Sequence, residues 1–135
     1  MTPPRDNPLL LDTNVFSLFL KGNDSRAALY FPDIQGKLLA VSFVTVGELY
    51  KWAYLKRWGP RRIQELEEQL QKVVILPAHE EVARQWAHIQ NIPGRQLADN
   101  DAWIAVCALA YGCVLVTHDR SLSNFPGLTI ISHLP

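Results

Sequence analysis

Residues 9–14 read Leu-Leu-Leu-Asp-Thr-Asn, a short apolar run that ends at a carboxylate, Asp12. Such a run suits a buried strand, although three residues alone do not distinguish a strand from a piece of helix. A similar arrangement returns late in the chain, where residues 114–117 (Val-Leu-Val-Thr) lead through His118 to Asp119. Because ligand sites of open parallel sheets lie at the carboxyl ends of the strands, we expect Asp12 and Asp119 to share one edge.

Strands and helices alternate along the rest of the chain, which predicts an α/β layer architecture with a mainly parallel sheet. We expect residues 1–7 to form a loose tail and residues 8–135 to form a single domain. The other predicted strands cover residues 39–44, 73–76 and 128–131. The predicted helices cover residues 15–21, 45–58, 80–90 and 99–111, with a further helix opened by Pro60 and one begun at residues 25–30 that Pro32 and Gly36 limit.

Composition describes an ordinary globular protein of 135 residues with 13 basic and 13 acidic side chains. The neutral balance gives no global argument for nucleic-acid binding, so such a partner needs a local basic patch. Cys107 and Cys113 lie in apolar surroundings without metal-ligand spacing, and we expect both to be reduced. The apolar residues near the N terminus are interrupted at Asp12 and are too short to span a membrane, so we expect a cytoplasmic protein.

Two more acids stand near the starts of helices that follow strands. Glu48 lies early in the helix after the second strand, and Asp101 opens the apolar helix 99–111, with Asp99 just before it. Each acid also has a purely structural explanation. Glu48 would complete a capping box with Thr45, Asp99 or Asp101 would cap a helix or favour its dipole, and Asp119 would form a turn with the two residues after it.

Taken together, the four acids indicate a site for a hard divalent cation. Asp12 interrupts an apolar stretch, where a buried and unpaired charge is costly. Clustered carboxylates repel one another unless a cation joins them, and Mg²⁺ prefers such oxygen ligands. A metal held there can activate water against a phosphodiester. The chain has no P-loop, no G-x-G-x-x-G and no Ser/His/Asp or Cys/His arrangement that would favour other chemistry.

At this point the chain resembles the PIN-domain nucleases, and especially the VapC-like toxins of bacterial toxin–antitoxin pairs. Four motifs occur in the order that this family has, between residues 9 and 119. They read Leu9-Leu10-Leu11-Asp12-Thr13-Asn14, Val44-Thr45-Val46-Gly47-Glu48-Leu49, Asn100-Asp101-Ala102-Trp103-Ile104-Ala105 and Val116-Thr117-His118-Asp119.

The resemblance implies a three-layer α/β/α domain and a metal-dependent endoribonuclease that uses Mg²⁺ or Mn²⁺. It implies RNA as substrate, a cognate antitoxin protein as partner, and a homodimer. The implied catalytic and metal-binding residues are Asp12, Glu48, Asp101 and Asp119, with Asp99 as a candidate fifth acid. The implied supporting residues are Thr13 and Asn14, which would orient Asp12, and Thr117, which would support Asp119 or the substrate.

Basic side chains cluster between residues 51 and 62, at Lys51, Lys56, Arg57, Arg61 and Arg62. They form either a solvated helix face, a path for an RNA backbone, or a contact for an acidic antitoxin segment. Arg95 precedes the third motif and is a candidate phosphate contact. Aromatic residues recur every four positions from Tyr50 to Trp58, which is typical of core packing or of a protein–protein groove.

Two other functions remain open at the level of sequence. A DNA-directed nuclease would use the same acids, because metal-assisted chemistry does not choose between the two backbones by itself. A non-catalytic module that binds protein or RNA would keep the acids without cleavage. A phospho-receiver domain is disfavoured, because Thr117 and His118 stand where such a domain would carry a lysine.

Overall fold

In the described residues, the central sheet has five strands that pair in parallel, in agreement with the mainly parallel sheet that the alternation of elements predicts. The computed structural model describes residues 8–94, 97–122 and 125–134 of the chain. Within these residues the strand order is β3-β2-β1-β4-β5, and each of the four neighbouring pairs is parallel. The strands are β1 (Leu9–Leu11), β2 (Leu39–Ser42), β3 (Val74–Leu76), β4 (Val114–Val116) and β5 (Ile130–Ile131).

Helices cover both faces of this sheet, because successive strand residues point to opposite sides. Leu10 belongs to the buried cluster that α5 and α6 complete, whereas Leu9 and Leu11 belong to the cluster formed with α1, α2 and α4. The three-layer α/β/α prediction is therefore confirmed. The helices are α1 (Thr13–Lys21), α2 (Ala27–Ile34), α3 (Phe43–Leu55), α4 (Pro60–Gln71), α5 (Glu80–Gln90) and α6 (Asp99–Tyr111).

The start of α3 differs from the prediction in a way that matters for Glu48. The strand β2 ends at Ser42, whose buried hydroxyl accepts the backbone N–H of Thr45 at 3.2 Å and so caps the helix. The predicted capping box of Thr45 and Glu48 is therefore wrong. Phe43 and Val44 read as strand in the sequence because they are apolar, yet they form the first turn of α3. Glu48 consequently lies in the second turn, where its carboxylate is available to other partners.

Two helix ends also fall elsewhere than predicted. The helix α2 passes through Pro32 and ends at Ile34, just before the left-handed Gly36 (φ 75°), so the limit at Gly36 is confirmed and the limit at Pro32 is wrong. The helix α3 ends before residue 58, because Arg57 takes a left-handed conformation (φ 51°). The Trp58 N–H then bonds back to the Ala53 carbonyl at 2.9 Å, which turns Trp58 toward the helix it follows.

The sheet topology places one crevice between the carboxyl ends of β1 and β4. From β1 the chain builds outward through β2 to β3, and then returns to the other side of β1 with β4. Such a reversal of strand order is where open α/β sheets bind their ligands. Asp12 directly follows β1, and its backbone N–H bonds to the Val116 carbonyl of β4 at 3.0 Å. Both acids predicted at strand ends therefore border this crevice.

The remaining sequence predictions concern the cysteines and the membrane. Cys107 and Cys113 are both buried and free, as expected, and burial raises the pKa of the Cys107 thiol to about 12. No helix in the described part of the chain has the length and apolar character needed to cross a membrane. The tail predicted at residues 1–7 lies outside the described residues.

Candidate active site

Asp12 is a buried carboxylate, 4% exposed, at the end of β1. Its Oδ1 accepts the Val15 N–H at 2.8 Å, so the side chain caps α1. Its Oδ2 accepts a hydrogen bond from the hydroxyl of Thr117. Burial is the main cause that raises the pKa of Asp12, against these hydrogen bonds, and the charge of Asp119 raises it further. Asp12 therefore combines a structural cap with an energetically costly charge.

Glu48 is hydrogen-bonded to one of a pair of hydroxyl groups that connects α1 with α3. Thr13 donates to Glu48 Oε1 at 2.6 Å, and its Oγ1 lies 2.9 Å from the buried Oγ1 of Thr45. Because Thr13 has one hydroxyl proton and gives it to Glu48, the hydroxyl of Thr45 is the donor in the second bond. Thr13 was predicted to orient Asp12, but the side chain that it holds is that of Glu48.

Asp101 and Asp119 are bridged by one side chain, Ser121. Its hydroxyl lies 2.9 Å from Asp119 Oδ1 and 3.4 Å from Asp101 Oδ2, and its backbone N–H donates to Asp119 at 2.9 Å. The pKa of Asp101 is raised first by burial and then by the charges of Asp119 and Glu48. The acids of three separate segments therefore act on one another electrostatically.

Ser121 is the contact that the sequence analysis did not single out. The turn that we considered for Asp119 is present, and it brings Ser121 back onto the Asp119 carboxylate. The spacing Asp-x-Ser was the only signal for it in the sequence. The turn and the grouping with Asp101 coexist, so a structural explanation of Asp119 does not exclude a functional one.

The other candidate residues take different places. Thr117 is buried, donates to Asp12 and accepts the Asp119 N–H at 3.1 Å, so it joins the two strand ends. Asn14 is exposed on α1. Asp99 is the exposed first residue of α6, and the cap position belongs to Ala98, so the capping alternative for Asp99 is wrong. Arg95 lies outside the described residues.

The carboxylate oxygens of the four acids are suitable ligands for a divalent metal by their chemistry. Their positions in the structure fit a metal site less well. Among residues 8–94, 97–122 and 125–134, no three Asp, Glu, His or Cys side chains stand so that they could hold a metal ion. The four carboxylates are instead engaged by Thr117, Thr13 and Ser121. Hard carboxylate oxygens are nevertheless the ligands that Mg²⁺ and Mn²⁺ prefer, and a cation would relieve the repulsion that raises the pKa of Asp101.

A comparison with protein families agrees with these motifs, since the PIN domain model matches residues 9–128. The chain belongs to the PIN-domain family. This PIN domain is 30% identical over 117 residues to ribonuclease VapC1 of Haemophilus influenzae, a match that covers 82% of this chain and 85% of that one.

Solved structures show the same fold as this PIN domain. VapBC-1 from nontypeable Haemophilus influenzae matches with a TM-score of 0.75 and 26% identity, over 92% of this chain and 96% of that one. A toxin–antitoxin complex from Klebsiella pneumoniae matches with a TM-score of 0.73 and 20% identity, over 91% of this chain and 95% of that one. The second likeness concerns the fold alone.

Proposed function

We propose that this PIN domain is a metal-dependent endoribonuclease and the toxin of a toxin–antitoxin pair. One observation carries the proposal: Asp12, Glu48, Asp101 and Asp119 come from four separate segments and are linked around the crevice between β1 and β4. The similarity to a protein named ribonuclease VapC1 supports RNA as the substrate. The similarity to VapBC-1 from nontypeable Haemophilus influenzae, at 26% identity, supports an antitoxin partner. We include in the proposal a homodimer that acts in the cytoplasm.

In this proposal the four carboxylates hold the metal, and Asp99, at the start of α6, is a candidate fifth acid. A bound Mg²⁺ or Mn²⁺ supplies Lewis acidity toward the phosphodiester and lowers the pKa of a water molecule. The chain's own contribution is position. Thr117 holds Asp12, Thr13 holds Glu48 and Ser121 holds Asp119, so each acid is oriented by a hydroxyl group.

The direct test is cleavage of a mixed pool of single-stranded RNAs by the purified wild-type chain with Mg²⁺, with Mn²⁺ and with EDTA. We expect cleavage with either metal and none with EDTA. Asp12→Asn and Glu48→Gln should both lose cleavage, because each removes a charged ligand. Glu68→Gln is the matched control, since Glu68 is an exposed residue of α4, and it should cleave like wild type.

Other outcomes would contradict the proposal. Cleavage of single-stranded DNA but not RNA would assign the site to a DNA-directed nuclease. Binding of RNA without cleavage, under every metal condition, would leave a binding module. Full activity of Asp12→Asn, with contaminating nuclease excluded, would remove the metal centre from the account.

A further inference from the structure

A basic groove begins beside the acids and runs along one side of α1. It has a volume of about 210 Å³, and the lining residues that matter here are Asn14, Ser17, Lys21, Lys56, Trp58 and Arg62. Asn14, Ser17 and Lys21 recur at intervals of three and four, so they share one face of α1. Asn14 is two residues from Asp12, and at 1.5 Å per residue Lys21 lies roughly 10 Å further along the helix axis.

The basic groove adjoins a second depression on the same face of α1. This depression, of about 250 Å³, shares Asn14, Ser17 and Lys21 with the basic groove, and His118 also lines it. His118 directly precedes Asp119. Residues that line the two depressions therefore lie next to the acids in the chain, Asn14 two positions from Asp12 and His118 one position from Asp119.

The cations of the basic groove are available to a ligand. Lys21 lies 4.0 Å from Asp24, but Asp24 already holds Arg26 at 2.8 Å. Lys56 and Arg62 take part in none of the ion pairs found in the described residues. No carboxylate lines the basic groove itself. The groove is therefore locally positive in a chain whose net charge is zero.

Trp58 gives the basic groove a fixed wall. The left-handed Arg57 turns Trp58 back onto α3, and the Arg62 guanidinium lies 4.1 Å from the centre of the indole ring. This cation–π contact orients the Arg62 guanidinium before any ligand arrives. The arrangement combines cations, of which Arg62 is held in place, with an aromatic surface, and this combination binds single-stranded nucleic acid without reading its sequence.

We propose that the basic groove binds the RNA strand that flanks the cleavage site, with Lys56 and Arg62 contacting its phosphates. This proposal rests on the proposed function and assigns the substrate path of that site. An acidic protein segment is the competing occupant. The positive charge of the basic groove and its position beside residues that neighbour Asp12 and Asp119 favour RNA, because cleavage requires the strand to continue on both sides of the cleaved bond. Leu20, Leu49 and Trp52 also line the basic groove, so its cations stand beside apolar side chains that bases can contact.

The test is binding of a fluorescein-labelled, mixed-sequence RNA oligonucleotide to the full chain carrying Asp12→Asn, so that no cleavage interferes. Fluorescence anisotropy in EDTA gives the dissociation constant at several KCl concentrations. For a single strand, each lost phosphate contact makes the slope of log K against log salt less steep by about 0.7. The same lost contact lowers the affinity roughly fivefold at 0.1 M salt. We expect about fivefold for Lys56→Ala, about fivefold for Arg62→Gln and about 25-fold for the double variant.

Matched controls lie on the same two helices. Lys51→Ala and Arg61→Gln remove the same charges from exposed positions outside the basic groove, and Arg61 pairs with Glu65 at 3.5 Å. They should keep the wild-type slope. Because Lys56 is exposed, Lys56→Ala tests the groove even if Arg62→Gln loosens the packing on Trp58.

Two results would overturn the proposal. Equal losses in the controls would mean that only overall charge matters. Unchanged RNA binding in the double variant, with lost binding of a labelled polyglutamate peptide, would assign the basic groove to an acidic protein segment. Failure of the proposed function is distinguishable from failure of this proposal. If the proposed function is wrong, the wild type leaves RNA intact. If only the role of the basic groove is wrong, the wild type cleaves RNA and the variants keep their RNA affinity.

Discussion

The basic groove includes Asn14, two residues from the acid Asp12, yet the side chains of the acids and of the groove are held in different ways. Buried hydroxyl groups of Thr13 and Thr117 fix the carboxylates, whereas Lys56 and Arg62 project from the surface without ion-pair partners among the described residues. Preorganised buried groups act on the reacting centre, while exposed charges act mainly on encounter and binding. The two regions should therefore control different kinetic constants.

The largest effect that separates the two regions is expected from Thr117→Val. The valine removes the hydroxyl that donates to Asp12 and accepts the Asp119 N–H, while it keeps the shape of the side chain. Loss of such an orienting contact typically lowers activity 10- to 100-fold. Because the contacts to the substrate are untouched, we expect roughly the same factor in kcat. Steady-state cleavage with Mg²⁺ measures it, and Thr129→Val, at an exposed position, is the control. A rise in KM at constant kcat would contradict the separation.

The opposite kinetic signature is expected from Lys56→Ala in the otherwise wild-type chain. One lost phosphate contact should raise KM about fivefold at 0.1 M salt and leave kcat unchanged. The rise should shrink as KCl increases, because the contact is electrostatic. A salt-independent fall in kcat would place Lys56 with the positioning residues instead.

An effect on stability, rather than on the kinetic constants, is expected when metal is added. Ligand at about 100 times its dissociation constant stabilises a folded chain by about 2.7 kcal/mol, which corresponds to a rise in Tm of about 10 °C at this length. Wild type and Lys56→Ala should both show this rise with Mn²⁺ in thermal unfolding, and Asp12→Asn should not. If Lys56→Ala lost the rise as well, the groove and the acids would not be separate sites.

The smallest effect is expected from Arg57→Gly, which tests how the wall of the basic groove is formed. A left-handed conformation costs a side-chain-bearing residue about 1–2 kcal/mol, and glycine avoids most of this at an entropic cost of similar size. Chemical denaturation should therefore show a change of no more than about 1 kcal/mol, with unchanged RNA affinity. A larger loss of stability would mean that the Arg57 side chain itself maintains the turn.

The fold and the grouping of acids were accessible from sequence for a simple reason. Each strand is a short apolar run, and Asp12 and Asp119 stand where such runs stop, so the parallel sheet dictates a common edge. Gly22 and Gly112 likewise mark the ends of α1 and α6, because both adopt the left-handed conformation there.

The partners of the acids were not accessible, because they depend on packing between distant segments. Thr13 reaches Glu48 across 35 positions, and Thr117 reaches Asp12 across 105. Ser42 and Thr45 have similar capping propensities, so only the actual end of β2 decides between them. Asp12 also serves as the cap of α1, a structural role that we did not predict for it.

The central claim is that four carboxylates from separate segments form one metal centre, and a calorimetric titration of Mn²⁺ tests it most directly. We predict saturable binding to the wild-type chain and a clear loss of affinity in each of Asp12→Asn, Glu48→Gln, Asp101→Asn and Asp119→Asn. Asp24→Asn, which changes an acid engaged with Arg26 on the surface, should bind like wild type. Equal Mn²⁺ affinity in the wild type and the four site variants would contradict the account.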